Sequence, residues 1–229
     1  MKLEVAKEIF EKYPEVEIGL IVIKDFDNQR KIKINNLENF QEELRKNLSL
    51  EKVQELPVIK RWREVYKSFG ANPPSQYRCS IEALLRRLLK SNLPKINELV
   101  DLYNYISIKY LMPVGGEDLD KIYGNLRLDF ANGDEEFIPL GSNVNNPPLK
   151  GEVVYKDDAG IICRCWNWRE GDRTKITEKT KNAILVMEDI NKSGNLKEAL
   201  NEIEKLVKED ENTIINILNK NNKELELLK

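Results

Sequence analysis

Three short stretches of this 229-residue chain carry side chains that could do chemistry. The first centres on Asn104, which with Ser107 continues an apolar helical stripe through Leu99, Val100 and Tyr103. A polar group at a core position must find hydrogen-bond partners or lower stability. Asn104 is therefore a structural tie or part of a buried polar site, and residue type alone favours the tie. The second stretch is Pro113-Val114-Gly115-Gly116-Glu117-Asp118. Its glycines allow a positive φ or a close backbone approach, and its acids can cap the next element; an ordinary turn explains such a pair equally well. The third holds Trp166 and Trp168, two of the three Trp in the chain, on either side of Asn167. The indoles either pack on the two sides of a strand end or form the aromatic wall of a pocket.

Composition removes several mechanisms. The chain has no His, so a Ser-His-Asp triad, a Cys-His dyad or a His-ligated zinc cannot be built from it. Its three Cys include the pair Cys163 and Cys165, and a lone C-x-C is a weak metal signal. Reduced core thiols of a cytosolic protein are the better reading. No cofactor or metal is expected, although carboxylates alone can hold Mg²⁺. The net charge of −2 hides a basic segment from Lys60 to Lys95, with nine Lys/Arg against two Glu. Arg61, Arg63, Lys67, Arg86, Arg87 and Lys90 there suit an anionic partner, while solvated helix faces explain any one of them as well. Met1-Lys2-Leu3-Glu4 lacks an apolar signal core and no stretch approaches a membrane span. A soluble, cytoplasmic protein with no membrane or DNA partner is expected.

The elements that must position these residues read as follows. Residues 16–23 form a buried strand, ended by the turn Asp25-Phe26-Asp27-Asn28. Helices follow over 37–48 and 50–69, the second split or started near Pro57, and Gly70-Ala71-Asn72-Pro73-Pro74 breaks the pattern. Ser80 is placed as the N-cap of a helix with Ile81, Leu84, Leu85, Leu88 and Leu89 on its apolar face. Pro94 leads into the helix over 96–110 that carries Asn104. Strands are read at 126–130 and 136–140 around the hairpin signal Asn132-Gly133, and at 152–155 and 161–168 around Asp157-Asp158-Ala159-Gly160. Thr177 is taken to cap a helix through Ile190, and residues 196–229 read as two charged amphipathic helices.

Several of these words, taken in order, carry a resemblance. They are Val100-Asp101-Leu102-Tyr103-Asn104-Tyr105, Pro113, Asp118-Leu119-Asp120-Lys121-Ile122, Leu126-Arg127-Leu128 and the strand pair ending near Trp168. Over residues 78–190, about half the chain, the sequence resembles the editing domain of the bacterial phenylalanyl-tRNA synthetase beta subunit. It is most similar to free-standing proteins that contain this domain without a synthetase. The resemblance implies an α+β fold of mixed or antiparallel sheet layers with packed helices, over residues 1–192. A C-terminal helical extension, 193–229, is added to it.

The family clears tyrosine wrongly attached to phenylalanine tRNA. Its pattern pairs a helix Asn with a His eleven residues later in Pro-x-His; here these are Asn104 and Gly115. Its Gly-Met-Gly-Gly segment, followed by a selective Glu, falls on Cys165-Trp166-Asn167-Trp168, with Glu170 as the counterpart. These departures leave the amino acid open. The resemblance implies an aminoacylated tRNA as partner and hydrolysis of its ester. That ester is already activated, so positioned water and oxyanion stabilisation suffice. On this reading Asn104 orients water or substrate, Gly115 and Gly116 offer backbone donors, and Glu117, Asp118 or Glu170 binds the ammonium or acts as base. Pro113, Asp118, Trp166, Asn167 and Trp168 line the substrate. The alternatives are a non-catalytic tRNA- or RNA-binding module and a sensor of free amino acid. An open pocket beside the basic face favours the enzyme; one filled by Trp166 or Trp168 favours the binder.

Overall fold

The computed structural model describes residues 1–27, 30–34, 37–207 and 213–227. Its elements run β1 (Lys2–Val5), α1 (Lys7–Lys12), β2 (Glu17–Ile23), α2 (Leu37–Asn47), α3 (Leu50–Val53), α4 (Pro57–Ser68), α5 (Ser80–Leu88) and α6 (Glu98–Tyr110). They continue with β3 (Val114–Asp118), a 3₁₀ turn at Leu119–Lys121, β4 (Leu126–Phe130), β5 (Val153–Asp157), β6 (Gly160–Arg164), β7 (Arg169–Glu170), β8 (Ala183–Asp189), α7 (Leu196–Val207), β9 (Thr213–Leu218) and β10 (Glu224–Glu226). One sheet has the order β10-β1-β4-β5-β6-β7 and the other β3-β8-β2-β9. Among the described residues only β1 and β4 run parallel, and every other pair is antiparallel. The fold is α+β, with two sheets and packed helices, as the resemblance implied.

The strand β2 has Ile, Leu and Val on both faces because it separates two apolar cores. Leu20 and Val22 face one core with Ile184 and Val186 of β8, beside Leu3, Leu126, Leu128 and Val153 of the other sheet. Ile21 and Ile23 face the second core, with Leu185 and Met187 of β8 and the apolar stripes of α6 and α7. A two-residue side-chain period produces this split. Gly19 lets α7 close on β2, since a Cβ there would lie 2.7 Å from a methyl of Leu196. No helix among the described residues is long and apolar enough to cross a membrane.

Pro57 splits residues 50–69 into α3 and α4, one of the two readings the sequence offered, as it starts a helix well. Several other sequence expectations change. Cys79, not Ser80, is the N-cap of α5. Asn132-Gly133 makes no hairpin; its backbone N–H groups donate to the Glu135 carboxylate at 2.8 and 2.9 Å, and β4 pairs with β5 instead. Residues 136–140 form no strand beyond an isolated pairing of Pro139 with Gly171. The helix expected from Thr177 to Ile190 is strand β8, buried along its whole length. The expected pair of C-terminal helices is one helix, α7, followed by β9 on the edge of β2 and β10 on the edge of β1. Asn28 of the expected turn, and residues 208–212 and 228–229 of those helices, lie outside the described residues.

The strands β9 and β10 extend both sheets, so their removal strips a partner from β2 and from β1. A chain truncated after Val207 is expected to lose its cooperative urea unfolding transition. A wild-type midpoint in the truncated chain would show that the segment is a dispensable appendage.

Candidate active site

A cavity of about 220 Å³ opens where α6, β3, β7 and the turn at residues 165–168 meet. Asn104, Gly115, Gly116, Glu117 and Glu170 all line it, and so do Trp166, Asn167 and Trp168. Residues up to 66 positions apart in sequence thus come together, from Asn104 to Glu170. Pro113 and Asp118 do not reach it. The Pro113 carbonyl accepts from the Glu188 backbone N–H at 3.1 Å. Asp118 caps the 3₁₀ turn by accepting from Asp120 N–H at 3.0 Å, and accepts from Thr180 Oγ1 at 2.7 Å.

Helix α6 begins at its N-cap Asn97, whose side chain accepts from Val100 N–H. It turns Tyr103 and Asn104 toward the cavity. Its two polar stripe residues then diverge. Ser107 Oγ donates to the Met112 carbonyl at 2.6 Å and fastens the helix end. Asn104 makes no side-chain hydrogen bond among the described residues; its carboxamide is left for a ligand or water. It also borders an open cleft of about 740 Å³ between α2 and α6, edged by Arg45 and Lys95.

Gly115 and Gly116 lie in the extended edge strand β3, not in a turn, and neither has a positive φ. Their roles differ. A Cβ on Gly116 would sit 2.5 Å from Leu185 and 2.8 Å from Ile176, whereas one on Gly115 would meet nothing within 4 Å. Sheet packing requires Gly116; Gly115 leaves space beside the cavity.

The turn at 165–168 is held in a conformation few side chains adopt. Cys165 has φ +46° and Trp166 φ +65°, each costing about 1–2 kcal/mol in a non-glycine residue. The surroundings fix it. Glu152 forms a buried two-pronged ion pair with Arg164 at 2.9 and 2.8 Å and also accepts from Cys165 N–H at 2.9 Å. Trp166 is fully buried, edge-on to Tyr13 and Trp62. Trp168 stacks on Tyr77. Asn167 accepts from Tyr66 Oη at 2.8 Å and donates to Glu188 Oε2 at 3.3 Å, which makes it a tie within the wall.

Three carboxyl groups meet the cavity: Glu117, Glu170 and Glu188. Burial, then the neighbouring Glu170 charge and a hydrogen bond to it, hold Glu117 well above the usual carboxylate range. Burial pushes Glu170 up to about 7, against hydrogen bonds from Glu117, Gly171 and Cys163. These two acids share a proton. Burial pushes Glu188 up to about 8; Tyr155 and Asn167 hydrogen bonds hold it back, and the Glu170 charge adds to the rise. Glu117 Oε2 and Glu170 Oε1 are buried without a partner, as is the Ser80 hydroxyl on the cavity wall. Burial also raises the Cys163 thiol and the Tyr103 phenol, so both stay neutral. The three thiols are free and buried.

The basic residues separate into two groups. Arg63 donates twice to the fully buried Glu82, at 3.1 and 2.6 Å, and Arg86 donates to the same carboxylate at 2.9 Å. Arg63 thereby clamps α4 to α5, while Arg86 holds the same carboxylate from within α5. Arg61 pairs at the surface with Glu64 at 3.2 Å, while Lys67, Arg87 and Lys90 are exposed.

Residues 61–220 match the model of the B3/4 domain family. The chain belongs to this family. Relatives of this B3/4 chain include a phenylalanine–tRNA ligase beta subunit from Fusobacterium nucleatum, 28% identical over 180 residues, covering 76% of this chain and 18% of that protein. The Bartonella henselae beta subunit is 34% identical over 110 residues, covering 48% and 13%. The chain thus spans less than a fifth of the length of these relatives. A solved N-terminal fragment of the Pyrococcus horikoshii phenylalanyl-tRNA synthetase beta subunit aligns with a TM-score of 0.49 at 12% identity, covering 94% of this B3/4 chain and 49% of the fragment.

Sequence reasoning missed Glu188, Ser80 and Tyr155 as cavity residues. The signal for Glu188 was an acid at the end of the apolar run Ala183–Asp189, which periodicity alone could not tell from a helix. Two predictions follow from the packing and the charges. Gly116→Ala should lower stability by about 1 kcal/mol through overpacking, while Gly115→Ala should be neutral or stabilise by about 0.5 kcal/mol through the unfolded chain. Urea melts of the two variants distinguish them. The raised Glu170 carboxyl binds its proton more tightly folded than unfolded, so its contribution is full below the unfolded value and fades as pH rises through about 7. Glu170→Gln should therefore gain on the wild type by roughly 3 kcal/mol between pH 4 and pH 8. Parallel stability curves for the two proteins would refute the shift.

Proposed function

We propose that this B3/4 chain hydrolyses the ester of a mischarged aminoacyl-tRNA, acting on tRNA in trans and without a cofactor. The observation that carries the reading is the meeting of unpartnered Asn104, open Gly115 and three raised carboxyl groups on one cavity. Trp166 leaves that cavity unfilled because its indole is packed against Tyr13 and Trp62. Membership of a family shared with phenylalanine–tRNA ligase beta subunits supports a tRNA partner.

In this mechanism Asn104 holds the water or the ester. Glu188 takes a proton from the water as its oxygen attacks the carbonyl carbon. Tyr155 and Asn167 keep that carboxylate oriented. The oxyanion forms beside β3, where the missing side chain of Gly115 allows close backbone approach. Collapse breaks the ester C–O bond, and the ribose oxygen leaves with the proton carried by Glu188. The free amino acid and intact tRNA are the products. Lys67, Arg87 and Lys90, with Arg61, supply phosphate contacts. Arg63 and Arg86 act indirectly, by fixing α4 and α5.

Purified protein is to be tested against a panel of correctly and incorrectly charged tRNAs. Release of one amino acid is expected, with kcat/KM rising with pH through 7 to 8 as Glu188 deprotonates. Asn104→Ala and Glu188→Gln should each reduce it on the order of 10²-fold. Neutralising Lys67, Arg87 and Lys90 should raise KM and flatten its salt dependence while sparing kcat. Failure to release any amino acid while tRNA still binds would make the chain a binding module.

A further inference from the structure

The cavity has a chemical asymmetry that the ester alone does not explain. Val114, Leu126 and Val186 give it aliphatic walls, while Glu117 and Glu170 form a carboxyl pair that shares a proton and has no cation paired with it. Glu117 is only 6% exposed. Among the described residues no Lys or Arg pairs with Glu117, Glu170 or Glu188. Arg173, the cation that bears on Glu117, is already held by both oxygens of Asp157 at 2.8 and 2.7 Å. Among the described residues no three acids are arranged to hold a metal ion. A methylene stem ending in an ammonium matches aliphatic walls that lead to unpaired carboxylates.

We propose that the cavity selects an aminoacyl group whose side chain is an aliphatic primary ammonium, of the lysine class, with its cationic end between Glu117 and Glu170. The tRNA in this statement rests on the hydrolase reading; the ligand class rests on the cavity. An α-ammonium offers the same three N–H donors but is common to every aminoacyl ester, so it gives no choice between amino acids. A phenol carries no charge that could replace the shared proton. The incoming ammonium replaces the proton that Glu117 and Glu170 share, and that proton leaves to solvent.

The test is calorimetric titration of the wild-type chain with L-lysinamide and with L-norleucinamide, which share the α-ammonium and stem but differ in the terminal charge. At pH 7.5 lysinamide should bind about tenfold tighter or better. The preference should shrink at pH 5.5, where both carboxyls keep their protons. Glu117→Gln/Glu170→Gln should abolish it. Equal affinities, or tighter norleucinamide, in the wild type would overturn the inference, whatever the variant's folding. Lysinamide preference with no amino acid released from any tRNA supports this inference while removing the hydrolase. Release of a different amino acid with no lysinamide preference removes this inference and leaves the hydrolase.

Discussion

The pairing of β2 with β8 is the constraint on which the rest of the molecule depends. Seven residues of each strand are in register, and both faces of both strands are buried. A slip of one residue would exchange the two cores. The site inherits this register. Gly115 lies opposite Val186 and Glu117 opposite Ile184, so the two-residue period sets Gly115, Glu117, Val186 and Glu188 on one face. Gly116 and Leu185 then fall on the other face, toward α6 and α7, where the close contact forbids a Cβ. Both glycines border the cavity, and the ladder decides which of them also packs against Leu185 and Ile176.

Much of this was legible in the sequence because local signals and tertiary demands agreed. The stripe of α6 was legible, and Asn104 on it is half-buried at the cavity wall, without the structural tie that residue type alone favoured. The hairpin of β5 and β6 was readable from Asp157, whose carboxylate accepts from Ala159 and Gly160 N–H across the turn. The misreadings share a different physics. β8 is buried on both faces and so shows no alternation to distinguish it from a buried helix. Asn132-Gly133 carries a hairpin dipeptide, but Glu135, three residues on from Asn132, satisfies its N–H groups and removes the need for a strand partner. Arg63 and Arg86 looked like free cations because their partner Glu82, on the next helix for Arg63, becomes buried only when α4 and α5 pack.

The treatment of buried acids separates scaffold from site. Glu82 is matched by Arg63 and Arg86, Glu152 by Arg164, and Asp157 by Arg173. Asp189 accepts from Asn191 and Ser193. Each of these charges has the donors that make burial tolerable. Glu117 and Glu170 break that rule, and they do so together, on the wall of the same cavity as Asn104. The unusual backbone at Cys165 and Trp166 borders it too. Departures of different physical kinds that coincide in space mark a place kept for a ligand rather than for stability.

On the hydrolase reading, the same lack of cations bears on how an ester would be cleaved by a chain without histidine. Imidazole is useful near neutrality because it exchanges a proton there. Glu170, pushed up to about 7, and Glu188, pushed up to about 8, occupy that range through burial. An arginine placed against them would stabilise the fold and draw both carboxyls back toward acid values, beyond use as bases at neutral pH. Gly115, where a Cβ would meet nothing within 4 Å, leaves open space beside these acids. On the hydrolase reading the missing imidazole and the missing counter-ion are therefore one design: carboxyls kept unpaired until a cationic substrate arrives to pair with them.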